Sequence, residues 1–413
     1  MQSIREIYKI GNGPSSSHTM GPKSAAERFK KKNPGAGKYR VTLYGSLAAT
    51  GRGHLTDKAI IDALKPTSVE IVWEADTTPE FHPNGMLFEA LSSDGATTAK
   101  KLYFSVGGGT IVAEGEKIVP HPVYKHTRMD KILEWCHENG QPIWKYVVET
   151  EGEDIMNHLS DVWKAMKNAI ERGLATEAVL PGDLRLERKA RSFYYKAKRN
   201  DPSSQKTGLL AAYALAVAEE NASGGIVVTA PTCGSSAVIP SVMKILQETY
   251  NLPDEDIHKA LATAGLFGNV IKENASIAGA EVGCQGEIGS ACAMCAAGAA
   301  QLLGGSAYQI EYAAEMGMEH HLGLTCDPIL GLVQIPCIER NVFAAARALT
   351  CAEYALFSDG RHKISFDEVV ETMRLTGHDL KSLYRETAQG GLARLASLIK
   401  PQNTQTTQKN KKV

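Results

Sequence analysis

The sequence has almost no net charge and no long apolar run. Its 45 basic and 46 acidic residues give a formal charge of -1, which provides no electrostatic reason to bind nucleic acid or an anionic membrane. No stretch is apolar enough to span a bilayer, and the first residues lack the apolar core of a signal peptide. We therefore expect a cytoplasmic protein without nucleic-acid or membrane partners.

A compact zinc-binding pattern is also missing, although the chain contains eight cysteines. In a reducing cytosol such thiols are core residues, metal ligands or nucleophiles. The one C-x-x-C pair, Cys292 and Cys295, falls in a predicted helix, where residues three apart share a face. This pattern allows a ligand pair, but it is more typical of a packing face made of small residues.

Three other cysteines, Cys284, Cys326 and Cys337, occur in GCQGE, TCDP and IPCIE. Glycine and proline interrupt regular helices, so these thiols are free to converge on one pocket. Polar residues surround them in an otherwise Gly- and Ala-rich region, and charged residues are seldom buried without a partner. The pattern indicates a functional site, with ordinary core thiols as the alternative. The polar residues are Lys272, Asn274, Ser276, Gln285, Glu287, His320, His321, Asp327, Glu339, Arg340 and Asn341.

The chain is long enough for more than one domain. Alternating strands and short helices predict a small α+β domain over residues 1–122, and helical periodicity predicts a larger all-α domain over 123–399. The predicted helices of the larger domain include those near 154–172, 185–199, 238–250 and 254–271. Pro120, Pro122 and the basic YKHTR that follows indicate a linker. Residues 400–413 are polar and predict a disordered tail. The predicted fold class is α+β.

A Gly-, Pro- and Ser-rich loop, IGNGPSSSHTMGP, precedes the first predicted helix, at about 23–32. Ser17, His18 and Thr19 therefore lie at a helix N-terminus, where free amides and the helix dipole favour an anion. Such a loop either binds a carboxylate or simply caps the helix. The local chemistry alone favours the cap.

Several segments resemble the bacterial iron–sulfur L-serine dehydratases, in their single-chain form with the β-type part first. These segments are PSSSHTMGP (14–22), YGSLAATGRGHLTD (44–57), HPNGM (82–86), KENASIAGAEVGCQGE (272–287), MEHHLGLTCDP (318–328), VQIPCIERN (333–341) and YRETAQGGLA (384–393). The resemblance implies an L-serine ammonia-lyase that forms pyruvate and ammonia. It also implies L-serine as the small-molecule partner and a homodimer.

The resemblance further implies a 4Fe–4S cluster held by Cys284, Cys326 and Cys337. Three thiolates leave one iron open to polarise the substrate hydroxyl. The implied catalytic residues are His54 and His82, either of which could be the base, with His54 ranked first. The substrate-binding candidates are Ser15, Ser16, Ser17, His18, Thr19, Asn84, Lys272 and Asn274. Glu287, Asp327 and Arg340 are expected to hold the surrounding loops.

The chain departs from the family pattern at TAPTCGSS, where typical members have TAPTNGAC. Cys233 therefore has no assigned role, and Ser236 stands where a thiol is usual. Two alternative functions remain open. One is a related iron–sulfur lyase acting on L-threonine or L-cysteine, and the other is a cluster-bearing amino-acid sensor.

Overall fold

The computed structural model describes residues 1–116 and 122–398. Residues 120 and 121 of the predicted linker and the predicted tail at 400–413 lie outside the described residues. A small sheet with its own helices occupies the first part of the chain, and a larger set of packed helices follows. The predicted α+β class is confirmed. In the described part of the chain, no helix is both long and apolar enough to cross a membrane.

The sheet has five strands in the order β3-β2-β4-β5-β6. Strands β2 and β3 run parallel because two short helices form the crossover between them, whereas the remaining pairs are antiparallel. Alternate residues of β2 point to the core, where Tyr39, Val41 and Leu43 pack near Phe29 of the first helix. The elements are α1 (Gly21–Lys32), β2 (Lys38–Tyr44), α2 (Gly45–Thr50), α3 (Thr56–Leu64), β3 (Ser68–Glu74), β4 (Gly85–Leu91), β5 (Thr97–Ser105) and β6 (Ile111–Ala113).

The larger part is helical and is built around α10 and α12. Helix α12 is rich in alanine and other small residues, so neighbouring helices approach it closely and almost all of it is buried. The elements are α4 (Met129–Asn139), α5 (Ile143–Glu151), α6 (Asp154–Ala175), α7 (Ala190–Lys198), α8 (Pro202–Ala222), β7 (Ile226–Val228), α9 (Val238–Tyr250), α10 (Asp254–Asn274), α11 (Gly279–Val282), α12 (Ser290–Leu302), α13 (Ala307–Glu319), α14 (Cys337–Leu356), α15 (Phe366–Asp379) and α16 (Gly391–Leu398).

The first residues of the chain pack into the helical part. Ile4, Ile7 and Tyr8 are fully buried in its core, and the Tyr8 hydroxyl donates to the Leu261 carbonyl at 2.9 Å. Strand β1 (Ile10–Asn12) then pairs antiparallel with β7. The N-terminal segment therefore links the two hydrophobic cores, and the division near residue 122 remains a proposal.

Most predicted elements are present, with differences at short ones. Helix α5 and the one-turn helix α2 were not predicted, and neither was the pairing of β1 with β7. The helix predicted from residue 185 begins at Ala190, because Val179 and Glu187 form a β-bridge just before it. Short elements carry too few residues to establish a period, and tertiary contacts determine whether they form.

Candidate active site

The three predicted cysteines lie on different elements that meet at one end of the helical part. Cys284 precedes a π-helical turn, Gln285–Gly289, Cys326 lies in the loop between α13 and α14, and Cys337 begins α14. The sulfurs of Cys284 and Cys326 and a carboxylate oxygen of Glu287 lie within 4.8 Å of one another. In the described chain this is the one His, Cys, Asp and Glu group close enough to hold a metal ion.

The thiols interact electrostatically. A hydrogen bond from Cys326 lowers the pKa of Cys284, with a further contribution from the nearby Arg340 guanidinium, while the same bond raises the pKa of Cys326. Burial raises the pKa of Cys337, and the adjacent Cys284 raises it further. The three thiols are thus near neighbours, and the arrangement favours a thiolate at Cys284.

Arg340 and Asp327 hold the loop that carries Cys326. The Arg340 guanidinium donates to the Thr325 carbonyl at 2.7 Å and to Asp327 Oδ1 at 3.1 Å. The other Asp327 oxygen accepts from the Leu392 amide at 2.9 Å, which ties the loop to the last described helix. These contacts agree with the expectation that both residues position the loops.

Two carboxyl groups face the thiols. Burial raises the pKa of Glu287, against the effect of a hydrogen bond from Thr232. Burial also raises the pKa of Glu386 to about 8, with further contributions from Glu287 and Cys284. A Cβ at Gly279 would lie 2.7 Å from Glu287 Oε2 and 3.4 Å from Cys326 Sγ, so the backbone of α11 packs closely against the carboxylate and the thiol. Both carboxyl groups therefore lie in a crowded site that raises the pKa of each.

Glu386 was not predicted as a site residue. It lies in YRETAQGGLA, a segment noted only for its resemblance to the family. The segment returns to the site through backbone contacts: Cys326 donates its amide to the Tyr384 carbonyl at 2.8 Å, and Glu386 donates its own amide to the Cys326 carbonyl at 3.0 Å. Glu386 adopts a left-handed backbone, φ 57°, which is uncommon for a non-glycine residue. No local pattern in the sequence signals this return.

The sheet-bearing part contributes a pair of buried histidines. The rings of His18 and His54 lie 4.6 Å apart, and neither is more than 1% exposed. Burial lowers the pKa of both, that of His54 to about 4. His18 Nε2 lies 2.9 Å from Ser46 Oγ, and the Thr19 hydroxyl donates to the His54 carbonyl at 2.7 Å. Both rings are therefore neutral near pH 7 and fixed in place.

Hydrogen bonds determine which nitrogen of His54 carries the proton. The Thr50 hydroxyl donates its single proton to the Ser46 carbonyl at 3.0 Å. It can then only accept from His54 Nδ1, 3.1 Å away, so Nδ1 is protonated. The other nitrogen, Nε2, is buried and has no hydrogen-bond partner among the described residues. His54 therefore presents a free lone pair, which is what a general base requires.

His82 has the opposite arrangement. Its Nδ1 accepts from the Asn84 backbone amide at 3.1 Å, so a neutral ring carries its proton on Nε2 and presents a donor. Burial lowers the pKa of His82, partly offset by Glu281. Asn84 itself is buried, and its Oδ1 has no partner in the part of the chain described. The two candidate bases thus differ in whether Nε2 carries a lone pair or a proton, and the geometry favours His54 as the proton acceptor.

The histidine segments touch the loops that carry the thiols. A Cβ on Gly53 would lie 3.1 Å from the Gly331 carbonyl oxygen, in the loop between Cys326 and Cys337. A Cβ on Gly107 would lie 4.0 Å from the Ala278 side chain, just before α11. The site is therefore assembled at the junction of the two parts of the chain.

Residues Ser15 to Thr19 form the edge of this junction. Ser15 caps a π-helical turn, Ser16–Met20, by accepting from the His18 amide at 3.0 Å. The Ser15 amide donates to the Thr19 hydroxyl at 3.2 Å. The Ser16 and Ser17 hydroxyls form no hydrogen bond within the described residues, so both remain available to a ligand. Ser15 thus caps the turn, whereas Ser16 and Ser17 of the same turn are the residues whose hydroxyls could bind a ligand.

Lys272 and Asn274 point elsewhere. The Lys272 ammonium donates to the Gln2 side chain at 3.1 Å, and burial lowers its pKa. The Asn274 amide donates to the carbonyls of Thr127 and Val270. Their described contacts are with the N-terminal segment, the loop before α4 and their own helix. The structure does not bring them to the thiols, and their role in substrate binding remains a prediction.

The remaining cysteines near this region pack in the core. Cys292 and Cys295 are fully buried in α12, as a face of small residues would be. Cys233 Sγ lies 3.3 Å from Met20 Sδ, and burial raises the pKa of the Cys233 thiol well above its usual range, with a further contribution from Glu287. Cys233 is thus a buried thiol adjoining the histidine turn.

The fold and the site thus combine an α+β part that carries a buried neutral histidine with a helical part whose thiols could hold a metal ion, and loops of the two parts are in contact. The chain belongs to the serine dehydratase family: the family described as Serine dehydratase alpha chain matches residues 82–393, and Serine dehydratase beta chain matches residues 3–70. The alpha-chain match begins inside the five-stranded sheet, before β4.

Curated relatives cover almost the whole chain. An L-serine dehydratase of Streptomyces coelicolor is 41% identical, with 95% of this chain and 98% of the relative aligned. An L-serine dehydratase of Haemophilus influenzae is 40% identical, with 95% of this chain and 99% of the relative aligned. L-serine dehydratase 1 of Escherichia coli is 39% identical, with 95% of this chain and 99% of the relative aligned.

Proposed function

We propose that this protein converts L-serine to pyruvate and ammonia. Membership of the serine dehydratase family and near full-length similarity to proteins named L-serine dehydratase support this reaction. The observation that carries the proposal is the free Nε2 of His54, a neutral proton acceptor fixed by Thr50 at the junction with the three thiols.

The thiols fit the proposed 4Fe–4S cluster. Cys284, Cys326 and Cys337 supply three soft sulfur ligands, which suit iron–sulfur clusters, and two of the sulfurs already lie within ligand distance of each other. These three residues would hold the cluster. When bound, it supplies a Lewis acid for the substrate hydroxyl.

The residues of the chain then account for the proton transfers. His54 Nε2 takes the proton from Cα, and the Cα electron pair forms the double bond as the Cβ–oxygen bond breaks. Glu386, whose pKa is raised to about 8, holds a proton near neutral pH and gives it to the departing hydroxide, which leaves as water. The aminoacrylate product tautomerises to an imine, and water hydrolyses the imine to pyruvate and ammonia.

Other residues of the junction would hold the substrate. The Ser16 and Ser17 hydroxyls, beside the amides of the π-helical turn, are suited to the substrate carboxylate. His82, with its proton on Nε2, provides a further donor, and the unpaired Asn84 Oδ1 provides an acceptor for the substrate ammonium. These assignments divide the predicted residues into a base, donors and an acceptor.

The test is anaerobic purification followed by iron and sulfide analysis and a serine-to-pyruvate assay. L-threonine, assayed as oxobutyrate, and L-cysteine, assayed as pyruvate and sulfide, serve as competing substrates. We expect iron, sulfide and the highest kcat/KM with L-serine. Faster turnover of threonine or cysteine would favour the related lyase. Serine binding without turnover in iron-loaded protein would favour the sensor.

We also propose a cytoplasmic homodimer. The Ala- and Gly-rich helix α12 is buried within one subunit, so it does not supply the contact surface. Phe343, 72% exposed, and Phe357, 94% exposed, lie on and just after α14 and are better candidates for a subunit interface. Sedimentation analysis of wild type and Phe357→Ser tests this, and a monomeric wild-type protein would contradict it.

A further inference from the structure

A second cavity lies between α13, α14 and the segment before α15. It has a volume of about 500 Å³ and includes neither the three thiols of the candidate active site nor His18, His54 or His82. We call it the α13–α14 cleft and define it by Tyr312, Glu315, Arg347, Cys351, Tyr354 and His362. Its volume falls in the range of about 300 to 1,000 Å³ that is common for small-molecule sites.

Glu315 is the unusual residue of the cleft. It is only 4% exposed, yet its carboxylate has no hydrogen bond or ion pair within the described residues, and burial raises its pKa to about 7. The preceding acid on the same face, Glu311, is fully engaged. It accepts from the Phe366 amide at 2.6 Å and from His362 Nε2 at 2.9 Å. The charge of His362 acts on Glu315 from a distance, but Glu315 has no cation in direct contact among the described residues, which a buried carboxylate requires.

The walls of the cleft are aromatic and ordered. The His362 ring stacks on Tyr312 with centroids 4.3 Å apart and planes 5° apart, and Tyr312 meets Tyr354 edge to face at 6.2 Å. Glu315 belongs to no group of residues close enough to hold a metal ion in the part of the chain described. Aromatic walls around a buried carboxylate suit an organic ammonium group better than a metal ion.

A cation faces the cleft from the other helix. Arg347 on α14 lines the cavity, and its guanidinium has no hydrogen bond or ion pair among the described residues. Arg347 lowers the pKa of the Cys351 thiol and Glu315 raises it, so both charged groups lie near this one buried residue. A guanidinium is the side chain best suited to bind a carboxylate. One small molecule with an ammonium and a carboxylate would satisfy both groups.

We propose that the α13–α14 cleft binds a free α-amino acid with a large apolar or aromatic side chain. Its ammonium group contacts Glu315, its carboxylate contacts Arg347, and its side chain packs against Tyr312 and Tyr354. This site is distinct from the candidate active site and does not depend on the proposed reaction. Cys326 follows α13 and Cys337 begins α14, so the ligand touches the two helices that lead to the thiols.

The experiment is isothermal titration of the full-length, anaerobically purified protein with L-phenylalanine. Phenethylamine, which lacks the carboxylate, and 3-phenylpropanoate, which lacks the ammonium, are titrated in parallel. We expect saturable 1:1 binding of L-phenylalanine and at least tenfold weaker binding of each analogue. No binding of L-phenylalanine at millimolar concentration, or equal binding of either analogue, would overturn the proposal.

Matched variants locate the binding. Glu315→Gln keeps the shape of the buried side chain, and Arg347→Gln replaces an exposed side chain. Each substitution should weaken the binding of L-phenylalanine at least tenfold. Glu353→Gln is the control, because Glu353 lies on α14 outside the cleft and pairs with Lys206 on the surface. Thermal unfolding of each variant confirms that it is folded. Unchanged affinity in Arg347→Gln overturns the proposal even if Glu315→Gln fails to fold.

Discussion

The two sides of the candidate active site are built differently. The histidine side, from the sheet-bearing part, is held by neutral hydrogen bonds to hydroxyls and carbonyls. The thiol side, from the helical part, gathers Arg340, Asp327, Glu287 and Glu386 around three cysteines. Burial acts on both sides, but it lowers the pKa of His54 to about 4 and raises that of Glu386 to about 8.

This contrast explains how one site can hold an acid and a base together. A neutral histidine and a protonated carboxyl group coexist near pH 7 because burial disfavours the charged form of each. In water the same two groups would exchange their roles, since an ordinary carboxyl group is the stronger acid. The four predictions below test this division, from the largest expected effect to the smallest.

Cys326→Ser should have the largest effect, because it removes a ligand from the thiol side. We expect loss of bound iron and a decrease in kcat of about 10⁴-fold or more, since a Lewis acid contributes several kcal/mol. Iron analysis and visible absorbance measure the first effect. Cys136→Ser is the control, because Cys136 is a buried thiol of α4. Full iron content in Cys326→Ser would remove Cys326 from the ligand set.

His54→Ala should reduce kcat by about 10³-fold, in the range typical of a lost general base, while bound iron stays at the wild-type level. His82→Ala should have a smaller effect, because His82 presents a donor instead of a lone pair. His378→Ala is the control, since its side chain is 86% exposed. A larger loss in His82→Ala than in His54→Ala would reverse the assignment of the base.

The pH profile should follow from the two shifted pKa values. His54, at about 4, stays neutral on acidification, so kcat/KM should change less than twofold between pH 7 and 6, where an unshifted histidine would lose about threefold. Glu386, at about 8, loses its proton as the pH rises, so kcat/KM should fall about tenfold per unit above pH 8.

Glu386→Gln provides the control for this profile. It should lower kcat at pH 7 and abolish the decline above pH 8, because glutamine does not titrate. A decline that persists unchanged in Glu386→Gln would assign the alkaline limb to another group.

Thr50→Val should have the smallest effect, because it changes only the orientation of the base. Valine keeps the shape but no longer accepts the proton of His54 Nδ1, and losing one hydrogen bond of about 1 kcal/mol corresponds to about fivefold in kcat. KM should not change. Thr50→Ser, which retains the hydroxyl, should restore most of the rate. Equal rates in Thr50→Val and wild type would show that this bond does not set the tautomer.

Much of the fold could be predicted because long periodic segments identify themselves. Helices α6, α9 and α10 begin where the sequence predicts, at 154, 238 and 254, since each carries an apolar face over several turns. The packing of residues 1–12 into the helical core was not predictable, because three-residue strands such as β1 and β7 have no period of their own. The same holds for Glu386, which reaches Cys326 through backbone contacts.

By itself the sequence determined the α+β class, the order of its two parts and the cysteine and histidine motifs, because these follow from local pattern and residue chemistry. Tertiary structure alone decided which nitrogen of His54 is free, that the described contacts of Lys272 and Asn274 are away from the thiols, and that Glu386 approaches them. Those properties depend on distances between residues far apart in the chain, and burial at the junction then sets their charge.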